Sequence, residues 1–213
     1  MVLDIDATVN ELEPNYSLIK TLAKESRMPL CYGGGVKNVM QLKRIISLGV
    51  EKVALSSLAI EKPELVVEMA SAVGSQSVVI VLDVKKKSYS DKYCVFSNNG
   101  KKNSKKTPIE ILKKIGHENF GEVIINSIEK DGTQKGYDIK MLEEIVKFVH
   151  CPITALGGAS SLENIGQLFD NFGIIGAGVG SLFVFKGKYK AVLINYPDAK
   201  EKKSILSKFM EKK

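Results

Sequence analysis

The sequence lacks several features that mark whole classes of protein. No apolar run among its 213 residues reaches the roughly 18 residues of a membrane-spanning helix, and the longest, 173–185, is rich in glycine. The first residues include Asp4 and Asp6 without a basic segment, so they are not typical of a signal peptide. With 44% apolar and 26% charged residues, the composition excludes intrinsic disorder, collagen and coiled coil for the chain as a whole.

Cysteine and arginine are both scarce. The sequence contains three cysteines, Cys31, Cys94 and Cys151, without CxxC spacing, which predicts reduced thiols in a cytoplasmic protein. The arginines are Arg27 and Arg44 alone, and aromatic residues are not interleaved with basic ones, so we expect neither nucleic acid nor a membrane as a partner. We find no pattern of metal ligands and no nucleophile–base pair, and therefore expect no metal ion and no cofactor.

Lysine, by contrast, is abundant, and the formal net charge is +7. Residues 200–213 carry six lysines against Glu201 and Glu211, a net charge of +4, which leaves +3 for the remainder. This stretch predicts a solvated basic helix over residues 200–213. The modest excess elsewhere is compatible with attraction to small phosphorylated anions.

Short apolar segments alternate with amphipathic ones along the chain. Most of the apolar segments are continuous, as in parallel strands buried on both faces, and we predict seven strands: 2–7, 30–32, 52–55, 78–84, 122–125, 152–156 and 174–178. The predicted helices are 15–24, 38–48, 63–73, 107–115, 139–149 and 162–172. This alternation favours a parallel α/β fold, either a doubly wound sheet or a (β/α)8 barrel.

An internal repeat favours the barrel. Gly157 follows Gly33 by 124 residues, and each opens a glycine-rich turn between a predicted strand and a helix. A repeat of four βα units gives eight strands, and displacing Asp83 by the same offset gives a position before Met1. We therefore predict a single domain over residues 1–213, a (β/α)8 TIM barrel that lacks its first βα unit in this chain.

The glycine-rich turns are candidate phosphate sites. Residues 33–35 with 56–57 would form one site, and residues 157–158 with 180–181 the other. Backbone N–H groups in such turns can approach a phosphate closely, and a helix N-terminus adds partial positive charge. A tight turn alone also explains one glycine cluster. Two clusters related by a repeat suggest a substrate with a phosphate at each end.

Aspartates near strand ends are candidates for proton transfer. Asp83 closes the strand 78–84, and Asp131 lies in the segment 127–133; Asp4, in the first predicted strand, is a third candidate. A carboxylate at the mouth of a parallel barrel is well placed for general acid–base chemistry, although a cap or turn also explains each aspartate. Residues 85–106 predict a long loop with a small hairpin, and loops of this length are usually functional.

Five motifs resemble one family: 33–35 (GGG), 74–83 (GSQSVVIVLD), 100–103 (GKKN), 127–138 (SIEKDGTQKGYD) and 157–159 (GGA). Over nearly the whole chain they resemble the HisF-type cyclase subunit of imidazole glycerol phosphate synthase. The resemblance implies a (β/α)8 barrel of the phosphate-binding type and a heterodimer with a HisH-type glutaminase that supplies ammonia. It also implies ammonia-dependent cyclisation and lysis of a phosphoribulosyl-formimino aminoimidazole carboxamide ribonucleotide, a step of histidine biosynthesis that releases imidazole glycerol phosphate.

The resemblance implies roles for individual residues. Asp83 matches a catalytic aspartate, and Asp131 matches the other side of the pocket, where it stays our second candidate for proton transfer. Lys52 and Glu122, which taken alone would be solvated charges, match two members of a charged gate at the ammonia entrance. The matching substrate- and phosphate-binding residues are Gly35, Ser56, Ser57, Gly132, Gly158, Gly180 and Ser181.

The chain also departs from the family pattern. The family's first strand, with its other catalytic aspartate, would precede Met1, and Ser56 and Leu156 replace the usual asparagine and serine. Residues 180–197 look more like a side branch of HisF-like proteins that accompany acetamidino modification of bacterial surface sugars. The alternative function is therefore an ammonia conduit that serves a glutaminase and a separate sugar amidotransferase. A third reading, the aldose–ketose isomerase of the same pathway, is disfavoured by the GKKN loop.

Overall fold

The computed structural model describes residues 1–10, 12–87, 90, 92–187, 189 and 191–210, so the end of the predicted basic helix, 211–213, lies outside the described residues. The chain forms two compact units, Met1–Ile124 and Ile125–Lys213. Among the described residues, no helix is long and apolar enough to cross a lipid bilayer.

The first unit alternates strands and helices. Its strands are β1 (Val2–Leu3), β2 (Cys31–Gly33), β3 (Lys52–Leu55), β4 (Val78–Lys86), β5 (Tyr93–Ser97) and β6 (Lys102–Asn103). Its helices are α1 (Ile5–Val9), α2 (Tyr16–Glu25), α3 (Val39–Ser47), α4 (Ser57–Glu61), α5 (Pro63–Val73) and α6 (Pro108–Ile115). Short 3₁₀ turns lie at Ser75–Ser77 and His117–Asn119, and β7 (Glu122–Ser127) begins in this unit.

The second unit continues the alternation. Its strands are β8 (Ile153–Leu156), β9 (Gly176–Ala177), β10 (Phe185–Lys186) and β11 (Ala191–Val192). Its helices are α7 (Ile139–Val146), α8 (Leu162–Phe172), α9 (Ser181–Val184) and α10 (Ala199–Met210). Strands β8 and β9 pair in parallel, and β10 and β11 form an antiparallel pair.

Parallel pairing orders the first unit. Strand β1 pairs with β2, β2 with β3 and β3 with β4, always in parallel, with Tyr32 opposite Val53 and Ala54 opposite Val79. Strand β5 runs antiparallel to β4 and pairs with β6, so a hairpin lies within the predicted loop 85–106. The parallel α/β class and the hairpin are thus confirmed.

Side-chain caps define several helix starts. Asn38 accepts a hydrogen bond from the Gln41 N–H, and Thr107 forms a reciprocal capping box with Glu110. The predicted strand 2–7 was too long, however. The Asp4 carboxylate accepts a hydrogen bond from the Ala7 N–H at 3.0 Å, which begins α1 and ends β1 at Leu3.

The core of the first unit lies where β3 and β4 meet the helices packed on them. Residues 78–82 are each at most 5% exposed, because α5 contacts β4 and α3 contacts β3. Leu42 and Ile45 of α3 and Met69 of α5 are fully buried. Burial of these strands explains their continuous apolar sequence.

Replacing Leu82 by alanine should lower the free energy of unfolding by about 2–5 kcal/mol, because this fully buried side chain would leave a cavity. Urea denaturation followed by circular dichroism measures the loss. Met40, which is 78% exposed on α3, provides the control, and Met40→Ala should change the free energy by less than about 0.5 kcal/mol. Equal effects of the two substitutions would contradict this description of the core.

Candidate functional site

A cleft of about 840 Å³ opens at the carboxyl ends of the parallel strands of the first unit. Its wall contains Gly35 after β2, Ser56 and Ser57 after β3, and Asp83 within β4. The structure therefore brings four predicted site residues together. Clefts of this size bind small molecules, and strand carboxyl ends are where α/β folds place their ligands.

Glycine is required at the turn that follows β2. Gly35 has a φ of +68°, and a Cβ there would lie 2.9 Å from the Leu12 carbonyl oxygen. The turn is also held to the end of β1, where the Asp4 N–H donates to the Gly33 carbonyl at 2.7 Å. Gly33, Gly34 and Gly35 have no side chains, so the turn lines the cleft with its backbone.

The hairpin of β5 and β6 contacts α4 at the rim of the cleft. The Asn98 N–H donates to Ser57 Oγ at 3.3 Å, and Ser57 Oγ donates to Asn98 Oδ1 at 3.4 Å. One turn further along α4, Glu61 Oε1 lies 2.9 Å from Lys102 Nζ. The predicted phosphate-site residue Ser57 is thus bound to a loop residue that is 41 positions away in sequence.

Charges of both signs surround the cleft. Carboxylates come from Asp4, Glu61 and Asp83, and lysines approach from three different segments: Lys37, Lys62, Lys101 and Lys102. Carboxylates can transfer protons, and ammonium groups attract anions. These lysines were not among the predicted site residues, although the motif GKKN at 100–103 was a signal for two of them.

Asp4 is held in place by two hydrogen bonds. Its Oδ1 caps α1, and its Oδ2 accepts a hydrogen bond from the Tyr32 hydroxyl at 3.5 Å. Burial raises the pKa of Tyr32 to about 12, and the negative charge of Asp4 adds to the increase. Tyr32 therefore stays protonated at neutral pH and remains a hydrogen-bond donor to Asp4.

Lys52 and Glu122 form an ion pair at the amino ends of β3 and β7. Lys52 Nζ lies 2.5 Å from Glu122 Oε2, and the two side chains are 38% and 17% exposed. Cys31 lies opposite Lys52 in the parallel register. Burial raises the pKa of the Cys31 thiol to about 11; of the neighbouring charges, the Met1 ammonium and Lys52 lower it, whereas Glu122 raises it.

The remaining predicted site residues belong to the second unit. The Asp131 N–H donates to the Ser127 carbonyl at 2.9 Å, which places Asp131 and Gly132 on an exposed turn after β7. The Gly136 N–H donates to the Gly158 carbonyl at 2.7 Å, so this segment contacts the glycine-rich turn after β8.

The backbone at position 158 requires glycine. Its φ is +99°, and a Cβ there would collide with the Gly136 carbonyl oxygen. The Tyr137 hydroxyl donates to the Gly178 carbonyl at 3.0 Å, which connects the Asp131 segment to the turn that leads to Gly180 and Ser181 at the start of α9. Burial raises the pKa of Tyr137 to about 12, so it stays a donor at neutral pH.

A sequence model of the family described as "Histidine biosynthesis protein" matches residues 1–190. The chain belongs to the histidine biosynthesis protein family. Members of this family have the (β/α)8 barrel fold, so the predicted barrel class is confirmed.

Similarity to proteins named as HisF subunits identifies this family member as a HisF-type subunit. It is 50% identical over 204 residues to the "Putative imidazole glycerol phosphate synthase subunit HisF" of Leptospira borgpetersenii, covering 96% of this chain and 80% of the relative. It is 48% identical to the "Putative imidazole glycerol phosphate synthase subunit hisF3" of Vibrio vulnificus. That alignment covers 96% of this chain and 79% of the relative. The "Imidazole glycerol phosphate synthase subunit HisF" of Clostridium botulinum is 35% identical, covering 86% and 73%.

Alkylation of Cys31 should depend on pH with a midpoint near 11, because burial opposes the charged thiolate, which is the reactive species. Below that pH the rate should rise about tenfold per pH unit. Iodoacetamide labelling followed by peptide mass spectrometry measures the rate at Cys31 alone. The urea-unfolded chain is the control, and its Cys31 should react with a midpoint near the usual pKa of 9. The same midpoint in both states would contradict the burial of this thiol.

Proposed function

We propose that this HisF-type chain is a cyclase subunit of imidazole glycerol phosphate synthase. It would use ammonia to cyclise and cleave the phosphoribulosyl-formimino aminoimidazole carboxamide ribonucleotide, releasing imidazole glycerol phosphate and the carboxamide ribonucleotide. The observation that carries the proposal is the cleft that gathers Asp83, Gly35 and Ser57. Membership of the histidine biosynthesis family supports it.

Asp83 is the proposed general acid–base in this cleft. It is half-buried in β4 and lies opposite Phe96 in the antiparallel register with β5, so its backbone is held by strand pairing. A carboxylate on a rigid element can give and take the protons that ring closure and bond cleavage require. Asp131, on the exposed turn of the second unit, is the second proposed acid–base residue.

The glycine turns are the proposed phosphate sites. In the first unit, the backbone at Gly35 and the hydroxyls of Ser56 and Ser57 would bind one phosphate, and nearby lysines would add attraction. In the second unit, the connected segments of Gly132, Gly158, Gly180 and Ser181 would bind the other. Each unit thus supplies one proposed phosphate site.

The ion pair of Lys52 and Glu122 is the proposed ammonia gate. It lies at the amino ends of the strands, whereas the cleft lies at their carboxyl ends. Ammonia produced by a HisH-type glutaminase, bound at the amino ends, would pass this pair before it reached Asp83. A half-buried pair is suited to a gate because neither charge is fully solvated.

Asp83→Asn should reduce formation of imidazole glycerol phosphate by roughly 100-fold or more, because the amide has nearly the same shape but cannot transfer the proton. The assay supplies the ribonucleotide and ammonium salts to the purified chain and measures the product by chromatography. Asp170→Asn, an exposed aspartate of α8, is the matched control and should retain wild-type activity. No product above background from the wild-type chain would overturn the cyclase proposal.

A second candidate function is an ammonia conduit in acetamidino modification of surface sugars. The observation that motivates it is the stretch 180–197, which resembles the side branch of HisF-like proteins that accompany this modification. In that function the chain would assemble with a glutaminase and a separate sugar amidotransferase. It would deliver ammonia without forming imidazole glycerol phosphate.

Mixing the chain with a HisH-type glutaminase should form a heterodimer and raise the rate of glutamate release. Glu122→Gln should lower the ratio of glutamine-dependent to ammonium-dependent product formation, because Lys52 would lose its charged partner at the gate. Size-exclusion chromatography and a glutamate assay measure both effects, with Glu143→Gln on the exposed face of α7 as the control. Stimulated glutaminase without imidazole product would favour the conduit. No association would exclude the conduit and the glutaminase partner, whereas the ammonium-dependent assay decides the cyclase function.

A further inference from the structure

The hairpin of β5 and β6 docks on one face of α4 through two contacts. Ser57 and Glu61 lie four positions apart on α4, and they contact Asn98 and Lys102, which are also four positions apart. Residues four apart on a helix share a face, so the two contacts reinforce each other. The exposed Glu61–Lys102 pair is therefore a second contact between the hairpin and the face of α4 that carries Ser57.

A serine hydroxyl can donate one hydrogen bond, and in this structure Ser57 donates it to the Asn98 side chain. Ser57 Oγ donates to Asn98 Oδ1 at 3.4 Å and accepts from the Asn98 N–H at 3.3 Å. The distance between the two oxygens is long against the usual value of about 2.7–2.8 Å, and the distance between nitrogen and oxygen is long against about 2.9–3.0 Å. The Asn98 side chain is thus a weak, displaceable acceptor for the Ser57 proton.

A phosphate oxygen would be the stronger acceptor. Hydrogen bonds to an ionised oxygen are shorter and roughly twice as strong as neutral ones. When the hydroxyl turns from Asn98 Oδ1 toward an anion, its oxygen can still accept from the Asn98 N–H, because that bond uses a lone pair and not the proton. The Asn98 N–H would then orient the Ser57 hydroxyl after that hydroxyl has stopped donating to the Asn98 side chain.

We propose that Asn98 is a positioning residue that controls anion binding at Ser57; this proposal rests on the proposed phosphate site. Its side chain competes with the anion for the Ser57 proton, and its backbone N–H fixes the hydroxyl oxygen in both states. Pairing of β5 with β4 keeps the hairpin in place during the exchange, and the exposed Glu61–Lys102 pair adds a second contact with α4. The anion class is a phosphate monoester, such as one end of a bis-phosphorylated substrate.

The chain contains a matched control for this proposal. Asn98 and Asn99 have φ values of +52° and +54°, so glycine relieves the same left-handed strain at either position. Among the described hydrogen bonds, those to Ser57 come from Asn98 and not from Asn99. A difference between Asn98→Gly and Asn99→Gly therefore reports the Asn98 side chain.

The test is a titration with inorganic phosphate, followed by the backbone amide shift of Gly35 in the cleft. Asn98→Gly should tighten binding about two- to threefold relative to wild type, because a weak competing hydrogen bond is lost. Asn99→Gly should bind as wild type does. Ser57→Ala should weaken binding by about tenfold, and adding Asn98→Gly to Ser57→Ala should change nothing further. Thermal midpoints of all variants check that each one folds.

The outcomes separate this proposal from the function on which it rests. Equal affinities of Asn98→Gly and Asn99→Gly, with phosphate binding retained, would overturn the role of Asn98 and leave the phosphate site standing. The same gain from Asn98→Gly with and without Ser57 would assign it a merely structural effect and also overturn the proposal. Absence of any shift at Gly35 in the wild type would overturn the phosphate site itself.

Discussion

Parallel pairing of β1 to β4 is the constraint on which the first unit depends. Strands that run in one direction place all their carboxyl ends at one edge and all their amino ends at the other. The turn at Gly35, the serines after β3 and Asp83 therefore line one cleft, while Lys52 lies at the opposite end of its strand. The cleft and the ion pair of Lys52 with Glu122 are therefore separated by the length of a strand.

The cleft combines rigid and adjustable parts. Gly35 is fixed by a left-handed turn against Leu12, and Asp83 by the antiparallel pairing of β4 with β5, where it lies opposite Phe96. Ser57 is different, because its hydroxyl has a weak partner in the hairpin. In the proposed function, the rigid backbone would recognise the shape of a phosphate, and the Ser57 hydroxyl would adjust to it.

Much of the architecture was predictable because it follows from local rules. Helix starts at Asn38 and Thr107 came from short-range capping bonds, and the strands of the core came from continuous apolar runs. The failure at residues 2–7 has the same origin: Asp4 lies in an apolar run that predicts a strand, but its carboxylate caps a helix instead. The two patterns compete, and the sequence does not show which one is the more stable.

By itself, the sequence determined the alternation of strands and helices, the glycine turns at strand ends and the family to which the chain belongs. These depend on the identity and spacing of neighbouring residues. The contacts of Ser57 with Asn98, of Glu61 with Lys102 and of Lys52 with Glu122 were decided only by the tertiary structure. Each joins residues 41 or 70 positions apart, and such distances close only when sheet pairing and hairpin docking bring the segments together.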